Sequence, residues 1–408
     1  MNILINAYAI SPAMGSEPGM GWNWISNLAN YCELYIITEE EFRDRIEAVI
    51  PTLPQGENMH FYYNPVTPKV RQICWNQGDW RFYLYYRQWQ RRALKIAKMI
   101  CQENKIDIIH QLNMVGFREP GLLWKIKGYK YVWGPVGGLE TMPVGYLRGS
   151  GIKPYVFNVL KNALNSLQYR LQPSVHRAIK RADAIVAATH GCQVKLQKYC
   201  NIKVQLINET GCYPQERIIN RTNSNKPFEI MWCGKFDFRK RLDLALRTIA
   251  ELKDLDLRLL VVGSGDTEKY RLLANALGIC NKVVFWGQVD HNEINGIMQR
   301  SDLFFFTSIM EATSTVVMEA IQNQLPVICF DTCGFGTVVD ETIGRKIQLS
   351  NPEQSVKDFG EAIRGLYNDR DLLKQLSENC KERIKLFEWG HKAEQMVAIY
   401  KRIITKTQ

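Results

Sequence analysis

Apolar residues along the chain gather in short unbroken runs and seldom alternate with polar ones. Residues 2–8, 33–38, 106–111, 131–133 and 184–189 form one series of such runs, and stretches of helical periodicity separate most of them. Unbroken apolar runs of this length predict strands buried on both faces, as in a parallel sheet. A polar segment at 220–226 interrupts the pattern, which then resumes at 228–233, 257–263, 282–287, 303–308 and 326–330. Two successive strand–helix series predict an α/β fold with two doubly wound parallel sheets. The expected division is a first domain at 1–210, a linker at 211–226 and a second domain at 227–388. Ligands of such sheets bind beyond the carboxyl ends of the strands, so functional residues are expected just after strands.

The stretch 81–101 has a different period. Phe82, Tyr86, Trp89, Ala93, Ala97 and Ile100 make one helical stripe, and Arg87, Arg91, Lys95 and Lys98 make the opposite one. Charge follows the same division of the chain: residues 1–210 hold 25 Lys and Arg against 15 Asp and Glu, the remainder 27 against 26. A basic half attracts an anionic substrate, an anionic membrane or nucleic acid, and charge alone does not choose among them. The segment 153–181 is also basic and bears aromatic residues.

A chain of 408 residues exceeds what one hydrophobic core serves, in agreement with two domains. No window approaches the roughly 18 uninterrupted apolar residues of a spanning helix. The first apolar run lacks a positive leader and enters a glycine-rich turn, so it predicts a buried strand and a cytoplasmic protein. The 11 cysteines are scattered singly, and even Cys329 and Cys333 lack a second pair at metal-site spacing. Reduced thiols and no metal are the expectation.

Candidate chemistry follows the strands of the second half. After the run 303–308 come Glu311, then Ser314, Thr315 and Val316, then Glu319. Eight residues of continuous helix would part the two carboxylates by about 12 Å, so they have separate tasks. Ser314 and Thr315 can cap a helix whose N-terminal N–H groups, with the dipole, suit a phosphate. Gly234 and Lys235, followed by Arg239, Lys240 and Arg241, set cations ahead of another amphipathic helix. Gly263 and Gly265 end a strand in an incomplete dinucleotide fingerprint, because Glu268 stands where its third glycine belongs.

In order and spacing these elements resemble the retaining GT-B glycosyltransferases of family 4, over nearly the whole chain. The most specific part is Glu311 and Glu319 with seven residues between them, followed by Pro326-Val-Ile, Gly334 and Asp340-Glu341. The resemblance implies two facing Rossmann-like domains and a C-terminal helix, 389–408, that crosses back to the first. It implies a nucleoside diphosphate sugar as donor, with Glu319 on the ribose hydroxyls, Lys235 and Lys240 on the diphosphate, the loop at Gly287 near the base and Glu311 toward the transferred sugar. No cofactor beyond the donor substrate and no metal are implied.

In the first half, the Gly15–Gly19 loop after the first strand would meet the phosphates, ahead of a helix predicted at 22–31. His110, at the end of a strand, is the candidate polar group near sugar and acceptor; His190 is a weaker one. Residues 133–138 are expected to be a strand-end turn. The sequence departs from the family where Lys235 replaces an arginine, Ala312-Thr-Ser replaces Gly-Phe-Gly, and Gln324 replaces a glycine.

The implied activity is transfer of a sugar to a hydroxyl with retention, in bacterial cell-surface polysaccharide or glycolipid assembly. The acceptor would be lipid-linked or a saccharide, with peripheral contact to the inner face of an anionic membrane through the basic half. Rival readings are a non-catalytic relative or a sugar-nucleotide epimerase, a dinucleotide-dependent oxidoreductase, and a nucleic-acid binder. No recognition motif accompanies the charge, so nucleic acid is not an expected partner.

Overall fold

The computed structural model describes residues 1–75, 79–147, 151–215 and 227–405. Contacts divide the chain into two compact units: one of Met1–Leu139, Asn165–Gly211 and Trp389–Gln408, the other of Glu140–Leu164 and Cys212–Glu388. The segment Glu140–Leu164 is therefore counted with the second unit, where the sequence reading assigns it to the first. Of the expected linker, 216–226 lie outside the described residues.

The first unit is built on a seven-stranded parallel sheet. Its strands are β1 (Asn2–Ala7), β2 (Glu33–Thr38), β3 (Met59–Tyr63), β4 (Ile108–Asn113), β5 (Lys130–Val136), β6 (Ala184–Ala187) and β7 (Gln205–Leu206), in the order β3-β2-β1-β4-β5-β6-β7. The second unit holds a six-stranded parallel sheet of β8 (Phe228–Cys233), β9 (Leu257–Val262), β10 (Val283–Gly287), β11 (Leu303–Phe306), β12 (Val327–Phe330) and β13 (Gly344–Ile347), in the order β10-β9-β8-β11-β12-β13. In both sheets the first strand in sequence lies inside and the order reverses beside it, which is the switch point where such sheets bind ligands.

All ten expected strands are present. The sequence reading omits β3, β7 and β13, which are edge strands or, for β7, two residues long. Edge strands keep one side half exposed, so their apolar run is broken.

Six helices matter below: α1 (Ser16–Leu28), α2 (Arg81–Glu103), α3 (Ile152–Leu171), α4 (Leu242–Ala250), α5 (Thr315–Gln322) and α6 (Trp389–Thr405). In α2 the expected stripe is the buried one, with Tyr86, Trp89, Ala93, Ala97 and Ile100 in the core, while Arg87, Arg91, Lys95 and Lys98 are exposed. Helix α1 begins six residues before its predicted start and absorbs the glycine-rich run. The reason is close packing: a Cβ at Gly21 would come within 2.6 Å of the Ala9 carbonyl oxygen, and one at Gly19 would overlap the Met14 carbonyl. Helix α6 belongs to the first unit, where Trp389 packs edge-on against Trp24 at 5.8 Å.

Candidate active site

The second unit draws several strand ends together. Gly263, at φ +138°, leaves no room for a Cβ beside the Gly234 carbonyl, and its N–H donates to the Gly287 carbonyl at 2.8 Å. The ends of β8, β9 and β10 are thereby held in contact by backbone alone, which gives the glycine-rich strand end a packing role. Gly287, at φ +75°, turns the chain out of β10.

The residues after β11 are fixed from the other side. The Thr307 hydroxyl donates to the Lys240 carbonyl at 2.7 Å, and the Trp232 indole N–H donates to Thr307 at 2.9 Å. The N–H of Ile309 donates to the Arg239 carbonyl at 2.9 Å. The loop carrying Lys240 is thus tied to the strand that leads to Glu311.

The Lys240 ammonium forms an ion pair with the Glu311 carboxylate and stands 4.8 Å from the centroid of the Phe306 ring. Both charged side chains are largely buried, at 14 % and 15 % exposure. The Ser308 hydroxyl donates to Glu311 Oε1 at 3.3 Å, and the Glu311 N–H points to Cys333 Sγ at 3.4 Å. Glu319 lies on the inner part of α5. Burial pushes the Cys233 thiol up to about 12, with the Glu319 carboxylate adding to the shift and the Lys240 ammonium opposing it. Lys240 and Glu311 therefore meet beyond the carboxyl ends of β8 and β11, and Glu319 lies on the helix that follows.

The other cations differ from one another. Arg241 is buried, forks onto Asp243 at 2.7 and 2.8 Å and donates to the Tyr146 carbonyl, so its charge is committed. Arg239 pairs with Asp237 at 2.9 Å. Lys235 is exposed, and no ion pair is recorded for it among the described residues. Asp254 forks onto exposed Arg364, which holds its carboxyl down at about 2; it is a surface ion pair. Among the described residues no group of three potential metal ligands is found.

Ser314 takes the position before α5, yet its side chain makes no capping hydrogen bond, unlike the expected cap. Thr315 and Val316 form the first turn of α5. Gly334 donates to the Ala312 carbonyl at 3.1 Å and leaves no space for a Cβ beside Thr313, so the loops after β11 and β12 interlock. Gln324, standing for a glycine of the resembled family, adopts φ +52°, the left-handed conformation a glycine takes there readily.

Residues 214–383 match the family of the glycosyl transferases group 1. An uncharacterised glycosyltransferase of Methanocaldococcus jannaschii is 25 % identical over 305 residues, covering 73 % of this chain and 76 % of that one. A second glycosyltransferase of Methanocaldococcus jannaschii and a D-inositol 3-phosphate glycosyltransferase of Nocardia farcinica match over only 44 % and 40 % of their own length. Among solved structures, the lipopolysaccharide outer core galactosyltransferase WaaB in its apo form gives a TM-score of 0.66 at 13 % identity, over all of both chains. Anabaena HepE in complex with UDP gives 0.62 at 14 % identity, over 98 % of this chain and 100 % of that one. Both likenesses establish the fold, which is GT-B.

In the first unit, the structure corrects the reading of His110. It lies within β4, not at its end, and is fully buried. Its Nδ1 contacts the Tyr400 hydroxyl at 2.6 Å and its Nε2 the Gly134 carbonyl at 2.7 Å, so neither nitrogen is left for a substrate. Burial lowers its pKa to about 4. The segment expected as a strand-end turn is largely the strand β5 itself, and His190 is the exposed first residue of a helix. Gly15 precedes α1 and Gly19 lies inside it, so the loop expected at the phosphates is mostly helix.

Two groups escaped the sequence reading. Ser308 touches Glu311, and its position at the end of the predicted strand was the available signal. Glu17, in the first turn of α1, accepts the Val115 N–H at 2.7 Å, and burial raises its pKa, with Glu209 adding to the effect. An acid inside a glycine run was the visible clue.

Proposed function

We propose that this glycosyltransferase moves a sugar from a nucleoside diphosphate sugar to a hydroxyl acceptor with retention of anomeric configuration. The observation that carries the reading is the Lys240–Glu311 pair beyond the carboxyl ends of β8 and β11, with Glu319 on the helix that follows. In this reading Glu319 accepts hydrogen bonds from the ribose hydroxyls. Lys240 exchanges Glu311 for the diphosphate, assisted by exposed Lys235 and the N-terminus of α5 at Ser314, Thr315 and Val316. Glu311, released from the pair, faces the transferred sugar, and the turn at Gly287 meets the base.

The acceptor oxygen bonds to the anomeric carbon as the bond from that carbon to the β-phosphate oxygen breaks. The nucleoside diphosphate leaves with the electron pair, and the acceptor proton passes to a diphosphate oxygen. Cations and helix N–H groups aimed at the leaving group stabilise that charge. No protein base is required, in keeping with the engaged nitrogens of His110. The reading needs neither a metal nor a further cofactor.

The likeness to a lipopolysaccharide galactosyltransferase favours a saccharide or lipid-linked acceptor in bacterial surface polysaccharide or glycolipid assembly, on the cytoplasmic side. Among the described residues no helix is long and apolar enough to cross a membrane. Contact with an anionic membrane would be peripheral and would use the basic first half.

Thermal unfolding with a panel of nucleoside diphosphates tests the donor assignment. A nucleotide at 100 times its dissociation constant stabilises by about 2.7 kcal/mol. One diphosphate is expected to raise the melting temperature of the native protein but not of a folded Glu319→Ala variant. A response to NAD in place of any diphosphate would sink the reading in favour of an oxidoreductase.

A further inference from the structure

Helix α3 is amphipathic in the reverse sense to an ordinary surface helix. Polar side chains face the protein: the Asn162 amide donates to the Met142 carbonyl at 2.8 Å and accepts from its N–H at 3.0 Å, Gln168 accepts from Arg118 at 3.1 Å, and the Tyr169 hydroxyl donates to the Lys195 carbonyl at 3.0 Å. Val159 and Tyr169 pack inward, and the other large apolar residues face outward. Val156, Phe157, Leu160, Leu164, Leu167 and Leu171 are 47 to 66 % exposed. At a helical turn of 100° per residue they fall in an arc of about 100°. Exposed leucines repeated along one face of a helix, with amides beneath, invert the usual burial order and mark a surface that meets a partner.

Charge selects the partner. Residues 151–182 contain six Lys and Arg and no Asp or Glu, and Lys153, Lys161 and Arg170 of α3 are exposed. A second copy laid helix to helix against this face would set the cations of one segment against those of the other. An anionic bilayer answers both features, because the apolar arc enters the acyl boundary while the cations remain among the headgroups. With 20 residues the helix is about 30 Å long, enough to lie along the surface.

We propose that α3 is the membrane-docking element, seated in the plane of an anionic lipid surface with its leucines inserted. This deepens, and rests on, the peripheral contact proposed above, which it transfers from general basic charge to one helix face.

The test is co-sedimentation of the full chain with phosphatidylcholine vesicles with and without phosphatidylglycerol. The native protein and a Leu160→Asp/Leu164→Asp variant are compared, and each is checked for thermal unfolding and nucleotide response. Both positions are exposed, so the variant is expected to unfold like the native protein. Native protein is expected on the phosphatidylglycerol vesicles, and the variant at least about ten-fold more weakly, with its nucleotide response intact. A variant that binds like the native protein places the contact elsewhere and overturns the assignment. Native protein that ignores both vesicles overturns membrane contact itself while leaving the nucleotide assignment standing. A native dimer that becomes monomeric in the variant, seen by sedimentation velocity, makes the face a self-association surface and overturns the proposal as well.

Discussion

The Lys240 ammonium is paired with the Glu311 carboxylate, two residues 71 positions apart that sit on the loops following β8 and β11. The pair sits beside the Phe306 ring and the Ser308 hydroxyl, where water has little access. It joins the group expected to hold the leaving diphosphate to the group expected to face the sugar. The two roles are therefore coupled: a phosphate that engages Lys240 sets Glu311 free.

Substitutions on the two sides of this pair should act in opposite directions on nucleotide binding. Lys240→Ala leaves a largely buried carboxylate unpaired and should cost about 1–3 kcal/mol of stability, with loss of the nucleotide-induced rise in melting temperature. Glu311→Gln should keep or enlarge that rise, since it frees the ammonium, yet lower turnover at least about 100-fold. Thermal unfolding and a sugar-transfer assay on the same preparations check both. Equal loss of nucleotide response in the two variants would contradict the coupling.

His110 predicts an acid-sensitive first unit. Its pKa in the folded protein is about 4, below the 6.5 of an exposed imidazole, so the unfolded chain binds the extra proton first. The stability it protects is fully present above about pH 6.5 and declines as the pH falls toward 4, by at most about 3 kcal/mol. Urea unfolding of native protein and His110→Gln across that range should give a flatter profile for the variant, which is also less stable at neutral pH. A profile of equal slope would remove His110 from the account.

Glu17 carries the opposite sign. Its raised pKa means that the folded state holds a proton the unfolded state has lost, so its contribution falls as the pH rises through the window above the ordinary carboxylate value. Glu17→Gln retains an acceptor for the Val115 N–H and avoids the buried charge. The variant should melt higher than the native protein at pH 7, and the two should converge near pH 4.

Gln324 separates backbone strain from side-chain contact. Gln324→Gly and Gln324→Val remove the same side-chain interactions, but only glycine takes φ +52° without steric cost. The valine variant should be about 1–3 kcal/mol less stable than the glycine variant. Denaturant midpoints of the two measure the difference directly.

The reading of helix 81–101 shows what pattern alone resolves. Its apolar stripe is buried and its basic stripe exposed as the period requires, because a helix of that length must hide one face. Helix α3 shows the limit. Its leucines recur at helical spacing, and only the folded chain reveals that the amides face inward and the leucines outward.

His110 and the glycine run divide in the same way. A histidine and a set of glycines after a strand suit a ligand or a tight packing contact equally well in one dimension. Tertiary contacts decided for packing when they brought Tyr400 and Gly134 to the two imidazole nitrogens and a carbonyl oxygen to within a methyl group of Gly21.

The sequence by itself determined the two parallel sheets and their central strands, since unbroken apolar runs are local properties. Only the tertiary structure decided which cations are already committed, that Lys240 meets Glu311, and which face of α3 is left outward. Charge pairing and burial depend on distances between loops that the chain order does not contain, and those distances exist only once the sheets have formed.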